Sequence, residues 1–228
     1  FATLIFVSPF IYWPWADIEF EVPKVWFINR FIEILSLLSL FSSFLILKKE
    51  KIDKSLAVLI LLFFFIVGMS SILGRDVVIS FLGNYYRADG ILTLTHFVIL
   101  FFIVSLFFKK NWVEMTFKSF SYSTIILSFW ANLNGLLFYL HKKPIILSWD
   151  GAIGINFGNP NFLAGYLLVT LPFVYFTFAK EDSIRKRLFF LTGLVSQFIA
   201  IFLTRAWSGI FGILIFFMLS TGFTLSTF

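Results

Sequence analysis

Leu188–Thr227, LFFLTGLVSQFIAIFLTRAWSGIFGILIFFMLSTGFTLST, is apolar from end to end apart from one cation, Arg205. As a single helix it would be roughly 60 Å long at 1.5 Å per residue, twice the hydrocarbon core of a bilayer. A break at Thr204-Arg205-Ala206-Trp207-Ser208-Gly209 divides it into two runs, 188–204 and 208–227. Each is close to the ~20 apolar residues a spanning helix needs. The same reading applied upstream marks six more runs: Phe1 to Trp15, then 25–47, 55–74, 91–108, 119–141 and 161–179. The sequence therefore predicts an all-α, polytopic transmembrane bundle of about eight spans, one transmembrane domain over residues 1–228.

Composition points the same way. Of 228 residues, 60% are hydrophobic and only 13% charged, with 35 Phe, no Cys and a mean hydropathy of +0.96. A soluble domain carries about 25% charged residues. So few charges cannot cover a surface facing water, which excludes a soluble globular domain and a disordered chain. The lack of Cys excludes a disulfide scaffold and thiolate metal sites.

The net charge of +6 is not spread evenly. Three loops, at residues 48–54, 109–118 and 180–187, hold eleven of the eighteen basic residues against five acids. The alternate loops, 16–24, 75–90, 142–160 and 204–209, balance their charges, and Arg30 and Glu33 lie inside the second span. The positive-inside rule makes the basic loops cytoplasmic and the other four outer. The basic residues are topology signals, and no nucleic-acid partner is expected. Trp13, Trp15, Trp26, Trp112, Trp149 and Trp207 stand near span ends, as an aromatic belt requires. The chain starts at Phe1 without Met and stops at Phe228 at the end of an apolar run, so it reads as a fragment of a longer protein.

The outer loops hold the candidate chemistry. In Arg75–Gly90, Val77, Val78, Phe81 and Leu82 make one side of a short interfacial helix, which Gly83-Asn84 ends. In Gly158-Asn159-Pro160-Asn161, Asn159 suits an N-cap and Pro160 the first helical position. The following span thus presents unpaired N–H groups outward, an arrangement that binds anions. Arg87 and Arg205 are the strongest candidates, because a guanidinium near membrane depth usually has an anionic partner and its planar fork fits phosphate oxygens. The plain alternative is local pairing, Arg87 with Asp89 or Asp76, or snorkelling to headgroups. Arg30 and Glu33, three apart, fit a structural ion pair. His96 fits a hydrogen-bonded bundle residue, His141 an interfacial one, and Asn132, Asn134 and Gln197 interhelical hydrogen bonding. No nucleotide-binding, serine-hydrolase or metal-ligand spacing is present.

These loops also carry a family resemblance. Gly83-Asn84-Tyr85-Tyr86-Arg87-Ala88-Asp89-Gly90 resembles the glycine–arginine–glycine segment of O-antigen ligases and polymerases. Gly158-Asn159-Pro160-Asn161-Phe162-Leu163-Ala164-Gly165-Tyr166, running on to Leu171-Pro172, resembles their asparagine-rich span start. Thr204-Arg205-Ala206-Trp207-Ser208-Gly209 resembles their Ser/Thr-Arg turn, and Val22-Pro23-Lys24 fits ahead of the second span. The resemblance implies a multi-pass enzyme of the bacterial inner membrane, acting in lipopolysaccharide or other cell-envelope polysaccharide synthesis. Such enzymes move a glycan from an undecaprenyl-pyrophosphate carrier to lipid A-core, another glycan or a protein on the outer face, without metal or cofactor. It implies that Arg87 and Arg205 bind the donor pyrophosphate, with Asn159 and Asn161 shaping the helix end. The family's histidine base lies in a later outer loop. Neither His96 nor His141 matches it, so the catalytic group is expected beyond residue 228. The competing class is a lipid-linked glycan transporter.

Overall fold

The computed structural model describes residues 1–45, 54–84, 88–107, 109–110, 112–140 and 152–225, the backbone alone at 42–45 and 219–225. Among them it is all-helical: α1 (Ala2–Val7), α2 (Glu21–Leu45), α3 (Lys54–Leu73), α4 (Val77–Leu82), α5 (Ile91–Phe107), α6 (Trp112–Tyr139), α7 (Pro160–Lys180), α8 (Ile184–Leu203) and α9 (Trp207–Leu225). The loop charges at 48–53, Arg87 with its two tyrosines, His141, Trp149 and most of the 142–160 loop lie outside the described residues.

Among the described residues, three helices are long and apolar enough to cross a membrane: α3, α7 and α8. Helix α3 makes the point most directly. Apart from Lys54, Gly68 and three serines its twenty residues are apolar, and none is buried. A fully apolar helix with no buried side needs an apolar medium, since exposing each Leu or Phe to water forfeits about 1.5–3 kcal/mol.

The stretch from Phe1 to Trp15 needs correcting. The helix there ends at Val7 and is followed by one 3-10 turn, Ser8–Phe10, so it does not run on to Trp15. Pro9 and Pro14 account for this, because each lacks the N–H that a continuing helix would use. Trp13 then turns back, its N–H donating to the Glu19 carbonyl at 2.8 Å. Elsewhere the helices overrun the predicted spans at charged ends. Helix α6 begins at Trp112, seven residues before the apolar limit, and its first turns hold a Glu114–Lys118 pair at 2.6 Å. Charges end an apolar segment but not a helix, and an i,i+4 pair of this polarity supports one.

The chain divides into two compact units, residues 1–10 with 113–228, and residues 11–112. In the first unit, α7 is the central element. Leu163, Leu167, Leu171 and Val174 are fully buried along it, the first two clustered with Leu127 and Ala131 of α6 and Ala200 and Ile201 of α8, the last two with Ile125 of α6 and Phe190 and Leu194 of α8. Polar side chains stitch these helices together. Ser121 bonds Thr177 at 2.9 Å, and Ser123 bonds the Tyr166 hydroxyl at 3.0 Å. Asn132 Nδ2 donates to Ser196 Oγ at 2.8 Å, and Gln197 Nε2 donates to the Leu167 carbonyl at 2.6 Å. Asn134 donates to Trp130 of its own helix, so of the three amides expected to link helices, Asn132 and Gln197 are seen to do so.

In the second unit, α5 packs chiefly on α2, with α3 and α4 alongside. Lys24 stands in the first turns of α2, ahead of the apolar run, and donates to the Phe20 carbonyl at 3.3 Å. Burial pushes its ammonium down to about 8, against an opposing pull from Glu21. A lysine that folds with a lowered affinity for its proton makes the unfolded chain the better proton binder between that value and 10.5. Stability then rises with pH across this window, by at most ~1.4 kcal/mol per pH unit. Lys24→Met should remove that slope and stabilise the unit at neutral pH, as read by reversible denaturation in detergent between about pH 7 and 10.

Candidate functional site

The start of helix α7 builds the first candidate. Helix α7 starts as its sequence dictates: Asn159 is extended, its side chain accepts from the Asn161 N–H at 2.8 Å, and Pro160 occupies the first turn. The segment ahead of it is pinned at two points. Asn156 is fully buried and its Nδ2 donates to the Pro9 carbonyl at 2.5 Å. The Ile153 N–H donates to the Leu203 carbonyl at 3.3 Å, which ties this segment to the last turn of α8.

The α8–α9 connection is equally tight. The buried Thr204 Oγ1 donates to the Ile201 carbonyl at 2.6 Å and accepts from the Ala206 N–H at 3.2 Å. Between them Arg205 takes a left-handed backbone, φ +54°, with its side chain exposed. Its guanidinium makes no hydrogen bond or ion pair among the described residues. A non-glycine residue in this region costs roughly 1–2 kcal/mol, and strain of this kind gathers at functional positions.

Gly209, one turn into α9, brings the two helix starts together. A Cβ there would lie 3.2 Å from the Ala164 Cβ, one turn into α7, and 2.8 Å from Ile201 Cγ2. The first turns of α7 and α9 are therefore side by side, and both helices begin at the same end of the unit. Each N-terminus carries backbone N–H groups without an intrahelical acceptor and the positive end of a helix dipole. Arg205 stands at the entry to α9, and Asn159 and Asn161 at the entry to α7. The structure thus brings Arg205, Asn159 and Asn161 to one end of one unit. Such an end is suited to an anion with several oxygens.

The 75–90 loop belongs to the other unit. Asp76 caps α4, accepting from the Ile79 N–H at 3.0 Å. Asp89 accepts from the Asn84 N–H at 3.2 Å. Both acids named as local partners for Arg87 therefore have backbone work of their own. Arg87 itself lies outside the described residues. Below the loop is a cavity of about 580 Å³, mostly apolar, lined by Ile18 and Val22 on one side and Val78, Ile79, Leu82 and Ala88 on the other.

A third grouping was not assembled by sequence reasoning. Glu33 Oε1 lies 2.6 Å from Arg30 Nη2 and 3.0 Å from His96 Nε2. The expected Arg30–Glu33 pair is present, and His96, 63 positions away from Glu33, joins it. The available signal was that all three ionisable residues fell inside predicted spans, where such groups seek one another.

Compared with protein-family models, with curated proteins and with solved structures, the chain matches none.

Proposed function

We propose that the chain is part of a membrane glycosyltransferase of the O-antigen ligase type, working on the outer face of a bacterial cytoplasmic membrane. The observation that carries this reading is the pairing of the α7 and α9 N-termini with an exposed, backbone-strained arginine between α8 and α9. The donor is a glycan on an undecaprenyl-pyrophosphate carrier. Loss of the glycan leaves negative charge on the pyrophosphate. Arg205 and the helix-end amides, with Asn159 and Asn161 setting the α7 start, meet that charge where it develops, which is where fixed donors stabilise a transition state most. Arg87 is assigned to the donor on sequence grounds alone. The acceptor is lipid A-core, another glycan or a protein. No metal or cofactor is required.

A second reading, a lipid-linked glycan transporter, draws on the Arg30–Glu33–His96 cluster, because ionisable groups inside membrane helices mark transport and proton pathways. An O-antigen polymerase would share the donor site and differ only in acceptor. Transfer and transport separate cleanly in detergent, where there are no two sides. The intact protein with a lipid-linked donor and an acceptor should yield transferred glycan and free carrier pyrophosphate. Translocation in liposomes without any transfer in detergent would establish the transporter instead.

A further inference from the structure

Helix α8 turns one apolar stripe outward along its whole length. Ile184, Leu188, Leu191, Val195, Ile199 and Phe202 are between 42% and 68% exposed. Their spacing of three and four residues puts them on one helix face. The other faces are spent on packing, where Gly193 lies against Ile125 of α6 and Gln197 donates to the Leu167 carbonyl of α7. Helix α8 is long and apolar enough to cross a membrane, so the outward stripe is a track for lipid chains.

The stripe begins at Ile184, and the next three residues are Arg185, Lys186 and Arg187. At about 100° of rotation per residue, Arg185 and Arg187 stand on the two flanks of the stripe and Lys186 turns behind it. Lys186 has a carboxylate partner, Glu181 Oε1 at 3.8 Å. Arg185 and Arg187 make no ion pair among the described residues. Arg187 Cζ lies instead 5.1 Å from the centre of the Phe178 ring, in the last turn of α7. An aromatic face holds a guanidinium in place without neutralising it. The neighbouring helix ends are balanced among themselves. Glu114, Lys118, Lys180 and Glu181 line one cleft, two of each sign, and Glu114 and Lys118 are paired at 2.6 Å. Beyond that set, the α7–α8 turn and the start of α8 hold Arg185, Lys186 and Arg187 against Asp182 alone. The head of the stripe is therefore positive and lacks its anion.

We infer that this place binds an anionic phospholipid, its phosphate between Arg185 and Arg187 and one acyl chain along the α8 stripe. The inference needs only that α8 spans, and it is independent of the transferase reading. Guanidinium groups grip phosphate oxygens through their fork of N–H donors, and cations at a membrane surface draw in anionic lipid. A zwitterionic lipid offers the same phosphate but brings an ammonium group that both arginines repel. A free phosphate ion has no chain for the stripe. A second copy of this face would bring two more arginines and no anion. The charge pattern assigns this end of α8 to the cytoplasm, so the lipid belongs to the inner leaflet. It anchors the α7–α8 turn at the end of α8 opposite Arg205.

The chain has no cysteine, so single fluorophores can be attached. Leu188→Cys carries one on the stripe. Ile66→Cys carries one on α3, exposed on a helix without arginine, as control. The intact protein is placed in phosphatidylcholine vesicles in which a fixed small fraction is chain-brominated phosphatidylglycerol or chain-brominated phosphatidylcholine. Bromine quenches the fluorophore only at contact. At Leu188 the brominated phosphatidylglycerol should occupy the site about 10-fold more effectively than brominated phosphatidylcholine, as two interfacial cations predict after screening, and at Ile66 the two should quench alike. Arg185→Gln combined with Arg187→Gln should remove the preference, whereas Lys186→Gln, whose cation already has a carboxylate, should leave most of it. All three side chains are exposed, so these variants are expected to insert. Equal quenching by the two lipids at Leu188 would overturn the inference. So would a preference that survives the double substitution, or a Leu188 label that neither lipid reaches, which would put protein on the stripe. The lipid comparison with both arginines present decides the matter even if the double variant does not insert.

Discussion

Under the proposed transferase function, Arg205→Ala is expected to lower glycan transfer by at least about 100-fold, the loss typical when one donor to a developing anion is removed, while the protein still inserts and keeps its fold. The two halves of this expectation have separate grounds. The Arg205 side chain is exposed, and only its backbone N–H, donating to the Phe202 carbonyl at 3.0 Å, takes part in the turn. Truncation therefore removes no packing. Alanine also keeps the strain of φ +54°. Glycine does not, so Arg205→Gly should be more stable than the parent by about 0.5–1 kcal/mol, yet equally inactive. Lysine retains the charge but not the fork of donors, and should restore transfer only in part. The decisive comparison is transfer rate against denaturation midpoint for the three variants. A stable, fully active Arg205→Gly protein would show that the arginine merely occupies the turn.

The second large effect is expected at Gly90. The two arms of the 83–90 loop touch backbone to backbone: a Cβ on Gly90 would overlap Gly83 N and the Phe81 carbonyl, and one on Gly83 would overlap the N–H groups of Asp89 and Gly90. Main-chain atoms held by the Ala88–Asn84 and Gly83–Ile79 hydrogen bonds cannot swing aside as a side-chain end can. Gly83 also has φ +93°. Gly90→Ala should therefore destabilise the second unit by ~2 kcal/mol or more, open the loop to proteolysis and, if Arg87 serves the donor, reduce transfer as well. Gly165→Ala is the control. Nothing lies within 4 Å of a Cβ there, and the residue is inside a helix, so this substitution should be neutral or stabilising by up to ~1 kcal/mol. Equal behaviour of the two variants would remove the argument from close approach.

Much of the candidate site could be read before any coordinates. Asn159-Pro160 announced the start of α7, and Gly83-Asn84 the end of the short helix before it, because caps and breakers act on their own backbone within a few residues; the Asp76 cap at that helix's start was seen only in the structure. The break at Arg205 followed from bilayer thickness alone. The N-terminal run misled because apolarity was read as helix through Pro9 and Pro14. Helix α6 was cut short because Lys118 was read as an end, when Glu114 one turn earlier makes it a helical partner.

Local chemistry and hydropathy belong to neighbouring residues, so the amino-acid string by itself determined that the chain is helical, where most helices run and how α7 is capped. Which helix starts share an end was decided by tertiary packing, since only the meeting of Gly209 with Ala164 sets α9 beside α7. The joining of His96 to Glu33 was likewise decided there. Both depend on the rotation of one helix against another, and apolar runs with such weak sidedness leave that rotation to interdigitation of side chains and to the few polar groups that must find partners away from water.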